Sequence, residues 1–224
     1  LPVKISALNF IMDETIRKNF LVHGKLYLQI TRGVAPRDHA FPAKCKSALI
    51  VSVSRVSWPS RSEGKQGCSV ITGPDLRWKR CDIKSVSLLP NVLLRQKAVE
   101  AKADETWMVD DEGHITEGTA SNAWIITPDN ELVTRQADES ILAGITRKTI
   151  LQLAKEEGIT IMERLFTVEE AQNAKEAFFT STTALIKPVT DIDNISIGNG
   201  NPGIITCTLI DKYFDLLENL SRKE

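Results

Sequence analysis

No metal-type spacing runs through this sequence. Its four cysteines, Cys45, Cys68, Cys81 and Cys207, form no CxxC pair, and His23, His39 and His114 are its three histidines. A zinc site therefore has no ligand set, and the cysteines are expected as reduced structural thiols. No apolar run approaches the ~20 residues of a membrane-spanning helix, so no membrane partner is expected. Charge excess is absent too: 28 basic against 29 acidic side chains leave a formal net charge of -1. That balance gives no footprint for nucleic acid or an anionic membrane. No charged-then-apolar leader opens the chain, which predicts a cytoplasmic protein. The sequons at Asn194 and Asn219 accordingly carry no weight, and no internal repeat is visible.

What remains is an ordinary globular composition, 42% hydrophobic and 25% charged over 224 residues, enough for one large domain or two small ones. A short helix is expected over Asp13–Leu21, stopped at His23-Gly24. Strands are expected over Lys25–Thr31 and, more buried, Ser47–Val53. Pro59 to Gly67 has linker composition and predicts a boundary: residues 1–58, a linker over 59–67, and a larger domain over 68–224. Beyond it a helix is expected over Asn91–Ala101, facing inward through Val92, Leu93, Ala98 and Ala101. Strands follow over Thr106–Val109, Ile115–Thr116 and Asn122–Thr127, then a helix over Thr146–Glu157 with Ile150, Leu151, Leu153 and Ala154 inward. A strand at Ile159–Met162, a capping box at Thr167–Glu170, strands at Ala177–Thr180 and Ala184–Ile186, and an amphipathic last helix through Leu209–Leu220 complete an α+β reading.

Five stretches carry candidate chemistry. Ile83–Leu89 reads as a largely buried strand with Lys84 in its middle. A buried lysine must pair with a charge, lose its proton or be consumed covalently, the last being the chemistry of a Schiff-base lysine. Pattern alone favours a surface lysine on an edge strand, paired with Asp82 on the same face. Thr116–Asn122 contains Glu117 in a polar turn. Leu142-Ala143-Gly144-Ile145-Thr146 opens a helix, where free amides favour an anion and where Thr146 could also act as a plain cap. Thr180-Ser181-Thr182-Thr183 places hydroxyls at a strand end, in a composition common to any strand. In the Gly- and Pro-punctuated loop Arg32–Pro42, Arg37 and His39 point one way if extended, a fork suited to a carboxylate or simply a solvated charged loop.

Taken together and in this order, Cys81-Asp82-Ile83-Lys84-Ser85 with Leu88-Leu89-Pro90-Asn91, Glu117-Gly118-x-x-x-Asn122, Gly144-Ile145-Thr146-Arg147 and Thr180-Ser181-Thr182-Thr183 resemble the fold-type IV pyridoxal-phosphate enzymes. The resemblance implies a small α/β domain, N-terminally incomplete, followed by a larger barrel-like α+β domain. It implies pyridoxal 5'-phosphate as cofactor, with Lys84 as its Schiff-base lysine and proton shuttle. Glu117 would meet the pyridine nitrogen, and Leu142, Gly144, Ile145, Thr146, Ser181 and Thr182 would surround the cofactor and its phosphate. Arg32-Gly33-x-x-x-Arg37-x-His39 is similar to the D-amino-acid branch, where this arginine and histidine hold the substrate carboxylate across a homodimer interface. D-amino-acid transamination with 2-oxoglutarate as acceptor is therefore the expected activity. A branched-chain L-amino-acid aminotransferase, an aminodeoxychorismate lyase and a non-catalytic dimerising homologue are the alternatives. Two features of the family are not matched: the N-terminal strands bearing a phosphate-binding arginine and a tyrosine fall outside this chain, and Ala120 stands where many D-amino-acid enzymes have serine.

Overall fold

Asn122-Ala123-Trp124-Ile125-Ile126 is apolar on both sides of its pleat, and both sides are buried. Ala123 and Ile125 enter one core with Trp107, Ile115, Val133 and Phe179. Trp124 and Ile126 enter another with Leu132, Phe178, Ile150, Leu153, Leu209 and Ile210. A strand covered on both faces needs this continuous apolar run, and each such side chain contributes roughly 1.5–3 kcal/mol on burial.

The computed structural model of the protein describes residues 2–221. They divide into a unit up to Trp58 and a unit from Pro59 onward. The first holds α1 (Ile5–Lys18) and a hairpin of β1 (Gly24–Thr31) and β2 (Ala48–Arg55), paired antiparallel. The helix expected over Asp13–Leu21 thus starts earlier and stops sooner, broken at Phe20, whose φ is 50°. The second strand, expected to be the more buried, alternates half-buried and exposed positions.

The second unit runs α2 (Arg61–Gly64), β3 (Cys68–Pro74), α3 (Leu89–Glu100), β4 (Glu105–Val109), β5 (Ile115–Gly118), β6 (Asn122–Ile126), β7 (Leu132–Thr134), α4 (Ile145–Glu156), β8 (Ile161–Glu163), α5 (Val168–Gln172), β9 (Glu176–Ser181), β10 (Leu185–Ile192), β11 (Ile195–Ser196) and α6 (Ile204–Ser221). Its sheet has the order β5-β4-β3-β10-β9-β6-β7-β8, with β11 beside β10. β3 lies parallel to β4 and β10, and β7 to β8, while the other pairs are antiparallel. This is an α+β arrangement. Among the described residues, no helix is long and apolar enough to cross a membrane.

Several local expectations are corrected. The stretch 59–67 is not featureless: Ser60 and Glu63 form a capping box that starts α2, and Arg61 and Lys65 reach acids on α6. Ile83–Leu89 is not a buried strand. No neighbouring strand offers it a ladder, its backbone closes local turns (Ile83 N–H to the Arg80 carbonyl, 3.1 Å; Leu88 N–H to that of Val86, 2.9 Å), and Lys84 is exposed. In α3, Leu94 and Ala98 face the core, while Val92 and Leu93 are 58% and 55% exposed. Gly144, not Thr146, occupies the N-cap position of α4. Thr167 caps α5 as expected, but the Glu170 side chain turns to Arg164.

The start of α6 is held by a carboxylate from the sheet. Glu176, buried at the head of β9, accepts hydrogen bonds from the Ile205 amide (3.0 Å), the Thr206 amide (2.7 Å) and the Thr206 hydroxyl (2.7 Å). Gly203 makes room for it, since a Cβ there would lie 1.9 Å from the Glu176 carboxyl carbon. Replacing Glu176 with alanine strands two amides of a helix N-terminus, so a loss of roughly 3 kcal/mol in urea-unfolding free energy is expected. A loss below about 0.5 kcal/mol, the scale of an ordinary surface change, would show that α6 is fixed by its apolar face alone.

Candidate functional site

Glu117 sits on β5 and is 4% exposed. One carboxylate oxygen accepts a hydrogen bond from the Arg77 guanidinium; the other accepts from Asn122 Nδ2 at 3.0 Å and from the Leu142 amide at 3.1 Å. Arg77 in turn donates to both oxygens of Asp75 (2.9 and 2.7 Å) and to the Ser140 carbonyl at 3.0 Å. The Thr116 hydroxyl donates to Asp75 at 2.7 Å. A buried acid, Glu117, and a largely buried one, Asp75, thus share one largely buried base. Burial, the largest influence, raises the Glu117 carboxyl to about 7, while the charge and hydrogen bond of Arg77 pull it down. For Asp75, burial also pushes up, but the Arg77 and Thr116 contacts outweigh it and hold the group below the usual carboxylate range. Burial opposes the charge of Arg77 as well, yet the two carboxylates more than offset this and raise its pKa.

Asn122, the first residue of β6, ties three candidates together. Besides Glu117, its Nδ2 donates to the Leu142 carbonyl at 3.0 Å, and its Oδ1 occupies the space beside Gly144. A Cβ at Gly144 would lie 2.3 Å from that oxygen, so the residue must be glycine for reasons of room. Asn122 also pairs with Thr180 in the β6–β9 register, which brings the end of β9, and so Ser181, to the same sheet edge. Ser181 Oγ accepts from the Ala184 amide at 3.0 Å; Thr182 is exposed. At the start of α4, Ile145 is 78% exposed and Thr146 is buried, and both amides fall in the first turn, where no intrahelical acceptor exists.

Lys84 lies on the segment between β3 and α3. That segment is fastened at Arg77, at Cys81, whose amide donates to the Glu139 carbonyl (2.8 Å), and at Asn91, whose Nδ2 donates to the Thr119 carbonyl (2.8 Å). Between these points Lys84 is exposed and forms no hydrogen bond or ion pair with Glu117, and Asp82 pairs with Arg80 instead of with it. Arg37 and His39 belong to the other unit, on the loop joining β1 and β2, and both are exposed. There the Asp38 carboxylate accepts from the His39 amide at 2.6 Å, and the Arg32 guanidinium stacks 3.9 Å over the Phe41 ring, which leaves Arg37 as the outward-facing guanidinium of the motif.

Asn122 closes the Glu117-Gly118-x-x-x-Asn122 motif, whereas no motif in the sequence points to Asp75 or Arg77. An acid and a base two residues apart at a strand exit, Asp75 and Arg77, offered a signal, but their partner Glu117 is 40 residues away from Arg77. A cavity of about 690 Å³ opens nearby, lined among others by Leu88, Asn91, Glu105, Thr119, Ser181 and Thr183. Of the predicted site residues it touches Ser181 alone, so the hydrogen-bond network around Glu117 identifies the site better than the cavity does.

The donor set fits a pyridoxal phosphate group. Glu117 has three of its roughly four acceptor positions filled, which leaves one for a ring N–H. Gly144 keeps the approach to the α4 amides clear for an anion.

Comparison with known proteins agrees with that chemistry. Residues 1–192 match the family model described as Amino-transferase class IV. A protein of Bacillus licheniformis named D-alanine aminotransferase is 45% identical over 195 residues, spanning 87% of this chain and 68% of that protein. One of Staphylococcus haemolyticus with the same name is 36% identical, spanning 94% and 74%. Among solved structures, the Escherichia coli branched-chain amino acid aminotransferase superposes with a TM-score of 0.84 at 27% identity, covering 96% of this chain and 73% of that one.

The raised Glu117 pKa has a consequence for stability. Between the ordinary carboxyl value of 4.5 and about 7, the folded protein holds a proton that the unfolded chain has released, so native stability falls as pH rises through that window. Glu117→Gln never takes the charge. Relative to the native protein, the variant should therefore gain up to roughly 3 kcal/mol between pH 5 and pH 8, read by urea unfolding of the cofactor-free protein. A difference that does not change with pH would mean that Glu117 is ionised throughout.

Proposed function

Because the chain belongs to the class IV amino-transferases, enzymes that act with pyridoxal 5'-phosphate, we propose that it transaminates D-amino acids to 2-oxo acids, with 2-oxoglutarate as amino acceptor. The observation that carries this reading is the buried Asp75–Arg77–Glu117 chain, which presents one carboxylate with a free acceptor position beside an amide-lined helix start. The likeness to proteins named D-alanine aminotransferase, at 36% to 45% identity, supports the D-amino-acid class.

When bound, pyridoxal phosphate supplies the electron sink that lets a proton leave the substrate Cα. Lys84 is the amine that holds it and afterwards moves that proton. Glu117 keeps the ring nitrogen protonated, and Arg77 keeps Glu117 in place. The amides of Ile145 and Thr146 take the phosphate, with the hydroxyls of Ser181 and Thr182 as further donors and Leu142 and Gly144 shaping the wall. Residues 1–58 act as the remainder of the small domain and 68–224 as the cofactor-binding domain. Arg37 and His39 hold the substrate carboxylate in the partner's site of a cytoplasmic homodimer.

Borohydride reduction after adding pyridoxal phosphate should fix the cofactor's mass on the peptide containing Lys84. Modification of another lysine, with Lys84 untouched, refutes the assignment. D-alanine should be consumed only when 2-oxoglutarate is present; release of pyruvate from aminodeoxychorismate without an acceptor would indicate a lyase. Arg37→Ala should raise the KM for D-alanine about ten- to hundredfold, the worth of one charge-assisted contact of ~1.5–3 kcal/mol, with little change in stability. Preference for L-leucine or L-valine together with an inert Arg37→Ala would place the activity with the branched-chain enzymes, the class to which the Escherichia coli structure belongs.

A further inference from the structure

A second carboxylate in the same unit is as buried as Glu117 and plays no part in the chemistry described so far. Glu105, the first residue of β4, is 4% exposed. One oxygen accepts from the Thr106 amide at 2.9 Å, the Thr119 amide at 3.2 Å and the Thr119 hydroxyl; the other accepts from the Ser121 hydroxyl at 2.9 Å. All four donors are neutral. Holding a carboxylate there costs desolvation that neutral hydrogen bonds only partly offset, whereas a neutral side chain would avoid that cost. What a neutral side chain cannot do is accept four hydrogen bonds on one rigid group: an amide places two donors where Glu105 has acceptors.

The residues it holds are informative. Thr119 and Ser121 belong to the turn that joins Glu117 to Asn122, closed by the Gly118 amide on the Ser121 carbonyl at 2.7 Å. Gly118 has no room for a side chain, since a Cβ would meet Ser121 Oγ at 2.1 Å and the Glu105 carboxyl carbon at 3.1 Å. Thr119 is fastened at all three of its polar groups. Its amide and hydroxyl go to Glu105, and its carbonyl accepts from Asn91 Nδ2 at 2.8 Å. Asn91 lies in the first turn of α3, the helix that follows the exposed segment bearing Lys84. Thr119 is thus the junction between the lysine segment and the Glu117 turn, and Glu105 is what immobilises it.

We propose that Glu105 is a positioning residue for the reaction: through Thr119 it sets the register between the Lys84 segment and the Glu117 turn, and so the spacing between the amine and the carboxylate that must meet two ends of one cofactor. The inference rests on the transaminase reading given above. Misplacement of reacting groups by about 1 Å can cost on the order of a hundredfold in rate without touching the groups themselves.

The test uses Glu105→Gln, Thr119→Val and Thr119→Ser in the purified protein. With D-alanine, Glu105→Gln and Thr119→Val should lower kcat roughly ten- to hundredfold while KM stays within about threefold, because Arg37 and His39 are not disturbed. Both should also shift the pH midpoint of the visible absorbance of the lysine-bound cofactor. Thr119→Ser, which keeps the hydroxyl, should restore both properties. If Glu105→Gln does not fold, Thr119→Val against Thr119→Ser decides the matter. A purely structural Glu105 would lower the unfolding midpoint and leave kcat and the spectral midpoint of the folded protein unchanged, which would overturn the proposal. A native protein that forms no adduct on Lys84 and consumes no D-alanine would instead overturn the transaminase reading, so the two failures are separable.

Discussion

Arg77 carries the burden of keeping two acids out of water. Its guanidinium is planar and cannot lose its proton under ordinary conditions, so it can face Asp75 and Glu117 at once with separate N–H groups. A lysine could supply the charge but not the geometry. Placing this triad at the exit of β3, beside β5 and the loop before α4, ties three separate chain segments together. Removing Arg77 would leave Asp75 and Glu117 facing each other without their shared cation, a situation that typically costs about 3–5 kcal/mol. The site residues on this side of the sheet therefore stand or fall as a group.

The sheet supplies the frame on which this is possible. With both faces of β6 committed to cores, its first residue, Asn122, has no freedom to move, and its amide becomes a fixed reference for Glu117, Leu142 and Gly144. The helices α4 and α6 pack on the face that holds Trp124 and Phe178, whose rings stack at 5.4 Å. Rigidity at the candidate site is thus inherited from hydrophobic packing and refined by polar contacts, the usual division of labour in a preorganised site.

The parts of this fold legible in the sequence are those in which neighbours in sequence settle the matter. Asn122–Ile126 lies within the strand expected over Asn122–Thr127, Ile145–Glu156 has a clean apolar stripe, and Thr167 caps the helix that follows it. The segment around Lys84 shows that apolar content alone does not imply burial: Ile83, Val86, Leu88 and Leu89 are all exposed in the unit described here. Periodicity reports what a strand could look like, not whether a neighbouring strand exists to pair with it. The same limit hides Asp75 and Arg77. Glu117 stood out through its motif, but the groups that set its protonation lie up to 40 residues away in sequence, and only the folded topology brings them together.

The α2–α6 contact has a topological meaning as well. Arg61 reaches Asp215 and Glu218 at 2.7 and 2.9 Å, and Lys65 reaches Asp211 at 2.7 Å. Among the described residues, the first and last helices of the larger unit therefore lie side by side. Such a unit is a natural subject for circular permutation. A short connector from Ser221 to Pro59 would replace ion pairs that contribute little, while new termini opened at the exposed Asp111–Gly113 turn would leave both cores and the Glu117 network uncut.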